Sequence, residues 1–370
     1  MHILFAGGGT AGHINPALAV ASYIKAKHPT AKISYIGKKG GMEERLVAEA
    51  GYEFYPIEVA GFQRKINLEN IKRNIKAVEL VFSSSKRSRE LLKKLNPDLV
   101  VGTGGYVSGP VLREAAKLKI KTAIHEQNAF PGVTTMLLVN QVDLVMLAMK
   151  DAKARLKLNK EPVITGNPVR SEMLLLNKEM ARAKLGIENN KKIVLSMGGS
   201  LGAEKINNAM KEIIKKHWSD VDVMFIHGTG KSEYSEFVKD LEKDGVIIDN
   251  KNLIVKDYLD NTVCLPAADL VVSRAGAISL TEIGVCSKPC IFVPSPNVSE
   301  NHQYFNALSL KKLDASELVE ESEIDLLEEK LLKLVKDDDK LKTMSAKVRS
   351  ATIANATEKI YVALMDLIKN

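Results

Sequence analysis

Glycine residues, a hydroxyl side chain and an imidazole side chain follow the first strand-like run of this chain. Residues 3–6 are apolar, and three glycines, Thr10 and His13 come directly after them. A strand that ends in glycines and opens a helix exposes backbone N–H groups, which bind anions readily. The spacing is not the Gly-x-Gly-x-x-Gly of dinucleotide-binding folds, which carries neither group at the turn. The stretch therefore favours a reacting centre over a passive pyrophosphate clamp.

Two more strand-like runs in the first half end in polar residues. One is followed by a second glycine turn at 103–110, and the other by the sequence His-Glu-Gln-Asn at 125–128. An isolated His-Glu pair is more often part of a solvated loop. Because the carboxyl ends of parallel strands meet at one edge of a sheet, three such ends predict a site there. Its candidate residues are Gly104, Gly105, Tyr106, His125, Glu126 and Asn128.

The second half repeats this layout without a literal sequence repeat. A strand-like run at 193–197 precedes a glycine turn at 198–203, where Ser200 stands at a helix start suited to phosphate. Arg170 follows a Gly-Asn-Pro break, which favours a turn between domains. From the sequence alone, Arg170 could equally be an anion-binding residue or a solvent-exposed surface arginine.

The most specific cluster is 273–282, which predicts a strand end, a tight turn and a helix beginning near Ala277. Glu282 then falls in the second turn of that helix. There it can accept both vicinal hydroxyls of a ribose, in hydrogen bonds worth about 1.5–3 kcal/mol each. Gln303 begins another helix expected on the same side.

Strand and helix signals alternate along most of the chain, which predicts an α/β fold of doubly wound parallel sheets. A chain of 370 residues exceeds what one core usually supports, so we expect two domains. We place them at 1–165 and 166–352, with a C-terminal helix at about 353–370 that packs back on the first.

Composition favours an anionic partner. The formal net charge is +8 and the pI about 9.1, while no nucleic-acid recognition module is visible. Residues 61–82 are basic and amphipathic, which fits a helix with a solvated basic face or a contact with anionic lipid headgroups. Three cysteines form no even disulfide framework, as expected in a reducing cytoplasm. No cofactor or metal site is readable, although a divalent ion could assist.

Six motifs together resemble one family. They lie at 7–16, 104–110, 125–128, 166–170, 198–203 and 273–277, in the order found in MurG, the N-acetylglucosaminyltransferases of peptidoglycan synthesis. The resemblance covers nearly the whole chain. It implies a GT-B architecture of two Rossmann-like domains that face a central cleft. It also implies an enzyme peripheral to the cytoplasmic face of the membrane.

The resemblance further implies the reaction and its residues. N-acetylglucosamine would pass, with inversion, from UDP-N-acetylglucosamine to the 4-hydroxyl of an undecaprenyl-diphospho-muramoyl peptide. Leu259 would contact uracil, although Tyr258 could replace it because the local alignment needs a gap. The other implied donor-binding residues are Thr10, Ala11, Gly12, Asn128, Arg170, Ser200, Ala277, Ile278, Ser279, Leu280, Thr281, Glu282 and Gln303.

Such a transfer needs a base for the acceptor hydroxyl and groups that hold the charge of departing UDP. His13 has a suitable intrinsic pKa of about 6.5, and Glu126 is its competitor. The alternatives are a GT-B transferase for another lipid such as diacylglycerol, a UDP-sugar epimerase, or a non-catalytic nucleotide-binding scaffold. The scaffold would need neither His13 nor the His125-Glu126 pair.

Overall fold

A computed structural model describes the backbone of residues 1–59, 68–188, 191–199, 202–220 and 222–370. Side chains are described for the same residues except 68–79, 81, 82 and 171. The chain divides into two compact units. Unit 1 comprises Met1–Pro168 and Asn355–Asn370, and unit 2 comprises Val169–Ala354.

Unit 1 is built on a parallel sheet of seven strands within the described residues. The strands are β1 (His2–Gly7), β2 (Lys32–Lys38), β3 (Glu53–Ile57), β4 (Leu99–Gly104), β5 (Lys121–Glu126), β6 (Leu144–Leu147) and β7 (Val163–Ile164). Their order across the sheet is β3-β2-β1-β4-β5-β6-β7. The order reverses between β1 and β4, and such switch points are where open parallel sheets bind ligands.

The helices of unit 1 cover both faces of this sheet. They are α1 (Ala11–Lys27), α2 (Met42–Glu49), α3 (Leu68–Leu95), α4 (Gly105–Lys117) and α5 (Val133–Leu138). The predicted strands of this half are present, and short β7 is an addition. The helical patterns of the sequence predict starts at Pro16 and Val111, but α1 begins at Ala11 and α4 at Gly105. His13 and Tyr106 therefore lie on helices and not on loops.

Unit 2 repeats the plan with six parallel strands in its described part. The strands are β8 (Lys192–Met197), β9 (Val223–Gly228), β10 (Leu253–Lys256), β11 (Leu270–Ser273), β12 (Cys290–Phe292) and β13 (Glu317–Leu318). The order is β10-β9-β8-β11-β12-β13, so its switch point lies between β8 and β11.

The remaining helices surround the second sheet, except for the last one. They are α6 (Lys178–Lys184), α7 (Glu204–His217), α8 (Tyr234–Lys243), α9 (Asn261–Ala267), α10 (Ala277–Val285), α11 (His302–Lys311), α12 (Leu327–Val335), α13 (Asp338–Ala351) and α14 (Ala356–Lys369). Helix α14 belongs to unit 1, where Ile360 and Leu364 join the core beside α1 and β1. Short 3-10 helices lie at Lys150–Arg155, Ser171–Leu174, Ser299–Asn301 and Glu321–Leu326.

Candidate active site

The two glycine turns of unit 1 touch each other at the switch point of its sheet. Gly104 and Gly105, between β4 and α4, have φ angles of +106° and +76°. A Cβ atom on Gly105 would lie 2.3 Å from the carbonyl oxygen of Gly8, and one on Gly104 would lie 2.7 Å from Nδ1 of His13. Only glycine permits both the left-handed backbone and this close approach.

His13 stands in the first turn of α1, half-buried against Gly104. Its Nδ1 is 3.1 Å from Oε1 of Gln127, which follows β5. The structure thus joins the first glycine turn and the His-Glu-Gln-Asn motif through one side-chain hydrogen bond. Gln127 was not predicted as a site residue, because an amide between more reactive side chains carries no chemical signal of its own.

His125 lies beneath this pair and is nearly inaccessible to solvent. Its Nε2 donates to the carbonyl oxygen of Gly166 at 3.0 Å, and its Nδ1 accepts from Nε2 of Gln127 at 3.1 Å. Burial lowers the pKa of His125, because charging the ring without water is unfavourable. His125 therefore remains neutral and braces Gln127.

Glu126 is also buried, and both of its carboxylate oxygens are occupied. Oε1 accepts from the backbone N–H and the side-chain amide of Asn128, at 3.0 and 3.2 Å. Oε2 accepts from the backbone of Gly132 at 2.9 Å and the hydroxyl of Thr135 at 2.6 Å. These four donors hold the loop between β5 and α5, so this geometry favours an organising role for Glu126 over proton transfer.

Glu43 is a further buried carboxylate, and it was not predicted as a site residue. Its Oε2 accepts from the N–H of Gly9 at 3.3 Å, and its Oε1 accepts from that of Lys38 at 2.8 Å. A carboxylate under the first glycine turn occupies one N–H donor and disfavours a second anion there. No residue type near 40–44 distinguishes Glu43 from Glu44 as the inward-facing one.

The hydroxyls of unit 1 differ in availability. Thr10 precedes α1 and is exposed, and its side chain does not cap the helix, whose first turn contains Ala11 and Gly12. Ser108, within the second glycine turn of the sequence, is buried inside α4 and donates to the carbonyl oxygen of Ala6 at 2.6 Å. Tyr106 is exposed at the start of α4.

In unit 2, the glycine turn after β8 is only partly described. Ser200 lies outside the described residues. A Cβ atom on Gly202, whose φ is +82°, would lie 2.4 Å from the carbonyl oxygen of Thr229. Gly198 similarly permits close contact with Ala203 at the start of α7. The described part of this turn thus packs tightly against the residues that follow β9.

Helix α10 begins at Ala277, separated from the end of β11 by three residues. Its N-cap is Gly276, which has no side chain to cap the first N–H groups. The N-terminus of such a helix attracts a diphosphate through these donors and the helix dipole. The predicted residues Ala277, Ile278, Ser279, Leu280 and Thr281 form its first turns, and the Thr281 hydroxyl donates within the helix to the carbonyl oxygen of Ala277.

Glu282 lies in the second turn of α10, as predicted, and is buried. Burial raises the pKa of its carboxyl group, while Asn261 and Arg170 oppose the shift. Asn261 donates to Oε2 at 3.1 Å, and Arg170 approaches Oε1 at 4.0 Å. The structure therefore brings two predicted nucleotide-binding residues together.

The remaining predicted residues of unit 2 occupy distinct environments. Leu259 is 9% exposed and packs against Gly228, whereas Tyr258 is 61% exposed. Gln303 lies in the first turn of α11, and its Oε1 accepts from the N–H of Ser295 at 2.9 Å. Among the described residues, no group of three or more His, Cys, Asp or Glu is arranged to hold a metal ion.

Models of one protein family match both halves of the chain. The glycosyltransferase family 28 N-terminal domain matches residues 3–147, and its C-terminal domain matches 193–360. The crystal structure of Acinetobacter baumannii MurG aligns over 99% of both chains, with a TM-score of 0.75 and 26% identity. Together with the two sheets and their glycine turns, these matches define a glycosyltransferase of the GT-B class.

Similar sequences carry one enzyme name over the whole chain. A protein of Acetivibrio thermocellus is 43% identical over 100% of this chain and 99% of its own. A protein of Clostridioides difficile is 41% identical over 99% of this chain and 88% of its own. Both are named UDP-N-acetylglucosamine–N-acetylmuramyl-(pentapeptide) pyrophosphoryl-undecaprenol N-acetylglucosamine transferase. This chain belongs to the MurG family.

Proposed function

We propose that this enzyme transfers N-acetylglucosamine from UDP-N-acetylglucosamine to the muramyl-pentapeptide carried on pyrophosphoryl-undecaprenol, converting lipid I to lipid II in peptidoglycan synthesis. The observation that carries the proposal is 43% identity to a relative named for this reaction, over 100% of this chain. The geometry agrees, because an imidazole lies at one switch point and an uncapped helix N-terminus at the other.

His13 is the proposed general base. Its Nδ1 is held by Gln127, which leaves Nε2 as the other nitrogen available to an acceptor hydroxyl. Glu126 is less suited, because four donors of its own loop occupy its oxygens. We assign Gly104, Gly105, Tyr106 and His125 to the acceptor side.

The proposed donor site uses unit 2. Glu282 accepts the ribose hydroxyls and Arg170 assists in binding the nucleotide, while the first turn of α10 and Ser200 hold the diphosphate. Leu259 is the proposed uracil contact. Because its side chain is buried, the contact would be made by its backbone. The alternative is Tyr258, whose side chain is exposed. Gln303 and Asn128 are assigned to the donor sugar, and Thr10, Ala11 and Gly12 are expected to approach the donor from unit 1.

The proposed chemistry is a single displacement with inversion. The 4-hydroxyl of the muramoyl unit loses its proton to His13 as its oxygen forms a bond to the anomeric carbon. UDP leaves with the electron pair of the broken bond. A preorganised donor at a developing charge contributes about 2.7–4 kcal/mol, so the N–H groups of α10 are expected to supply much of the acceleration.

A transfer assay with radiolabelled UDP-N-acetylglucosamine and a muramoyl lipid acceptor tests both function and base. Wild-type enzyme should form the disaccharide lipid. His13→Ala should lower kcat by about 10²- to 10⁴-fold with unchanged UDP affinity. His28→Ala is the matched control, because His28 lies at the other end of α1 and contacts Tyr361. Absence of transfer by wild type would refute the function, and near-full turnover by His13→Ala would refute the base.

We also propose that the enzyme docks on the cytoplasmic face of the membrane through anionic lipids. The described residues contain no helix long and apolar enough to cross a bilayer. The proposal rests on the basic pattern at 61–82, much of which lies outside the described residues or side chains. Exposed Tyr106, Val133 and Leu137 on α4 and α5 provide apolar surface in the same unit.

Charge reversal tests this docking. Changing Lys72, Arg73 and Lys76 to Glu should reduce co-sedimentation with anionic vesicles, because each basic residue contributes about 1 kcal/mol near the surface. The control changes three exposed lysines of unit 2, Lys333, Lys336 and Lys342, to Glu, with the same change in net charge. Equal sedimentation of the two triple variants would contradict a specific patch.

A further inference from the structure

Gln127 joins two histidines in one hydrogen-bonded series. Its Nε2 lies 2.9 Å from the backbone carbonyl oxygen of His125 and 3.1 Å from Nδ1 of the same residue. Its Oε1 lies 3.1 Å from Nδ1 of His13. Nε2 of His125 lies 3.0 Å from the carbonyl oxygen of Gly166, and the backbone of Gln127 accepts from the Asn167 amide.

The protons in this series can be placed by valence. The carbonyl oxygen of Gly166 only accepts, so Nε2 of His125 carries a hydrogen. His125 is buried and neutral, so its Nδ1 has a lone pair that faces Nε2 of Gln127. Two acceptors, this lone pair and the backbone carbonyl of His125, both require the amide nitrogen on that side. The orientation of the Gln127 amide is therefore determined, and Oε1 faces His13.

The same valence argument fixes the tautomer of His13. An amide oxygen only accepts, so Nδ1 of His13 must carry the hydrogen that lies between them. In the neutral ring the lone pair then belongs to Nε2. A free imidazole side chain favours the opposite tautomer, with hydrogen on Nε2, so the protein imposes this one.

We propose that Gln127 is a positioning residue that sets the tautomer and orientation of His13, so that Nε2 is the nitrogen that takes the proton of the acceptor hydroxyl. The proposal rests on the proposed function for the role of His13. In the step, the hydroxyl O–H bond breaks, its proton passes to Nε2, and its oxygen bonds to the anomeric carbon as UDP departs with the electron pair. The imidazolium keeps its Nδ1–H bond to Gln127 throughout.

A neutral amide suits this purpose for a structural reason. His125 must accept a hydrogen bond at Nδ1 while His13 must donate one, and a primary amide satisfies both demands at once. A carboxylate would satisfy only the second and would bury a charge beside Glu126. Through this amide, the backbone carbonyl of Gly166, the ring of His125 and the ring of His13 form one hydrogen-bonded series.

The test combines turnover with the nitrogen NMR signals of histidine in the intact enzyme. Gln127→Met has similar length but neither donor nor acceptor. It should lower kcat at least 100-fold while UDP affinity stays within twofold. Gln127→Glu keeps an acceptor oxygen for His13 and should recover at least tenfold of that loss. Gln141→Met is the matched control, because the Gln141 side chain is exposed and donates to the backbone carbonyl oxygen of Leu137 near the end of α5.

The NMR spectra, recorded at about pH 8 where imidazole is neutral, distinguish positioning from a merely structural role. Signals of His13 are assigned by their loss in His13→Ala. Wild type should show hydrogen on Nδ1, and Gln127→Met should show it on Nε2. Turnover within threefold of wild type, or the same tautomer in both proteins, would overturn the proposal. Because the tautomer is read without substrate, failure of wild type to transfer sugar would refute the proposed function and not this assignment.

Discussion

At the residue scale, Glu282 is a buried carboxylate whose pKa depends on its surroundings. Burial raises the pKa of its carboxyl group, and the Asn261 amide and the Arg170 guanidinium only partly offset the effect. Burial raises the pKa of the neighbouring Cys286 thiol, and the charge of Glu282 adds to that shift. In the proposed role of Glu282 its carboxylate accepts the ribose hydroxyls, so UDP binding should depend on the ionisation of Glu282.

We expect UDP affinity to fall as pH decreases through a range that lies above the ordinary glutamate pKa of about 4.3. Glu282→Gln should bind UDP about 10- to 100-fold more weakly near neutral pH, through the loss of charge-assisted hydrogen bonds worth about 1.5–3 kcal/mol each. Calorimetric titration of both proteins across pH measures this. The phosphate of UDP titrates identically with either protein, so a parallel pH dependence in the two would contradict the role of Glu282.

At the scale of elements, the helices that follow the glycine turns begin without a side-chain cap. These are α1, α4, α7 and α10, which start at the switch points of the two sheets. The absence of a cap is not special to them, since α2, α5, α8, α11, α12 and α14 also lack one, whereas Asn177, Asp260 and Asp337 cap α6, α9 and α13. What distinguishes the four is their place, because a helix N-terminus at a switch point can present backbone donors to an anionic ligand.

Two glycines of α4 provide a matched pair for the close approach of the two turns of unit 1. Gly105→Ala should destabilise unit 1 by more than about 1 kcal/mol and abolish most transfer, because of the positive φ and the contact with Gly8. Gly109→Ala, whose Cβ would meet only Thr134 at 3.9 Å, should leave activity intact. Chemical denaturation and the transfer assay measure both effects. Equal behaviour of the two variants would show that the approach is dispensable.

At the scale of the whole molecule, each unit contains a fully buried histidine. His125 lies in unit 1 and His227 in unit 2, and burial lowers the pKa of both, that of His227 to about 3. The unfolded chain binds protons at these positions near a pKa of about 6.5, whereas the folded chain does not. Folding stability is therefore lost as pH falls below about 6.5, and the loss continues for His227 to about pH 3.

The pH dependence due to His227 can be measured through the unfolding of unit 2. It contains the single tryptophan of the chain, Trp218, which packs against the core of that unit. In urea titrations followed by its fluorescence, the free energy of unfolding should fall by roughly 1.4 kcal/mol per pH unit through His227 between pH 6 and 5. His227→Phe should lack this contribution. An unchanged slope in the variant would mean that His227 is protonated in the folded protein.

Much of the architecture was readable from sequence because it depends on local patterns. Apolar runs, glycine breaks and helical periodicity predicted the main strands and the start of α10 at Ala277. The starts of α1 and α4 were predicted too late, because glycine and proline at 12, 16, 105 and 110 disfavour a helix by propensity. The open first turn tolerates them, and tertiary contact with the neighbouring turn offsets the rest.

By itself the sequence determined the fold class, the family and the chemical groups at each strand end, since these depend on residue type and order. Tertiary structure alone decided which groups are turned toward one another. Hydrogen-bond direction and burial separate Glu126, enclosed by its loop, from His13, which is half-buried and held by Gln127. Those properties arise only where β1, β4 and β5 come together, because partners 114 residues apart leave no mark on local sequence.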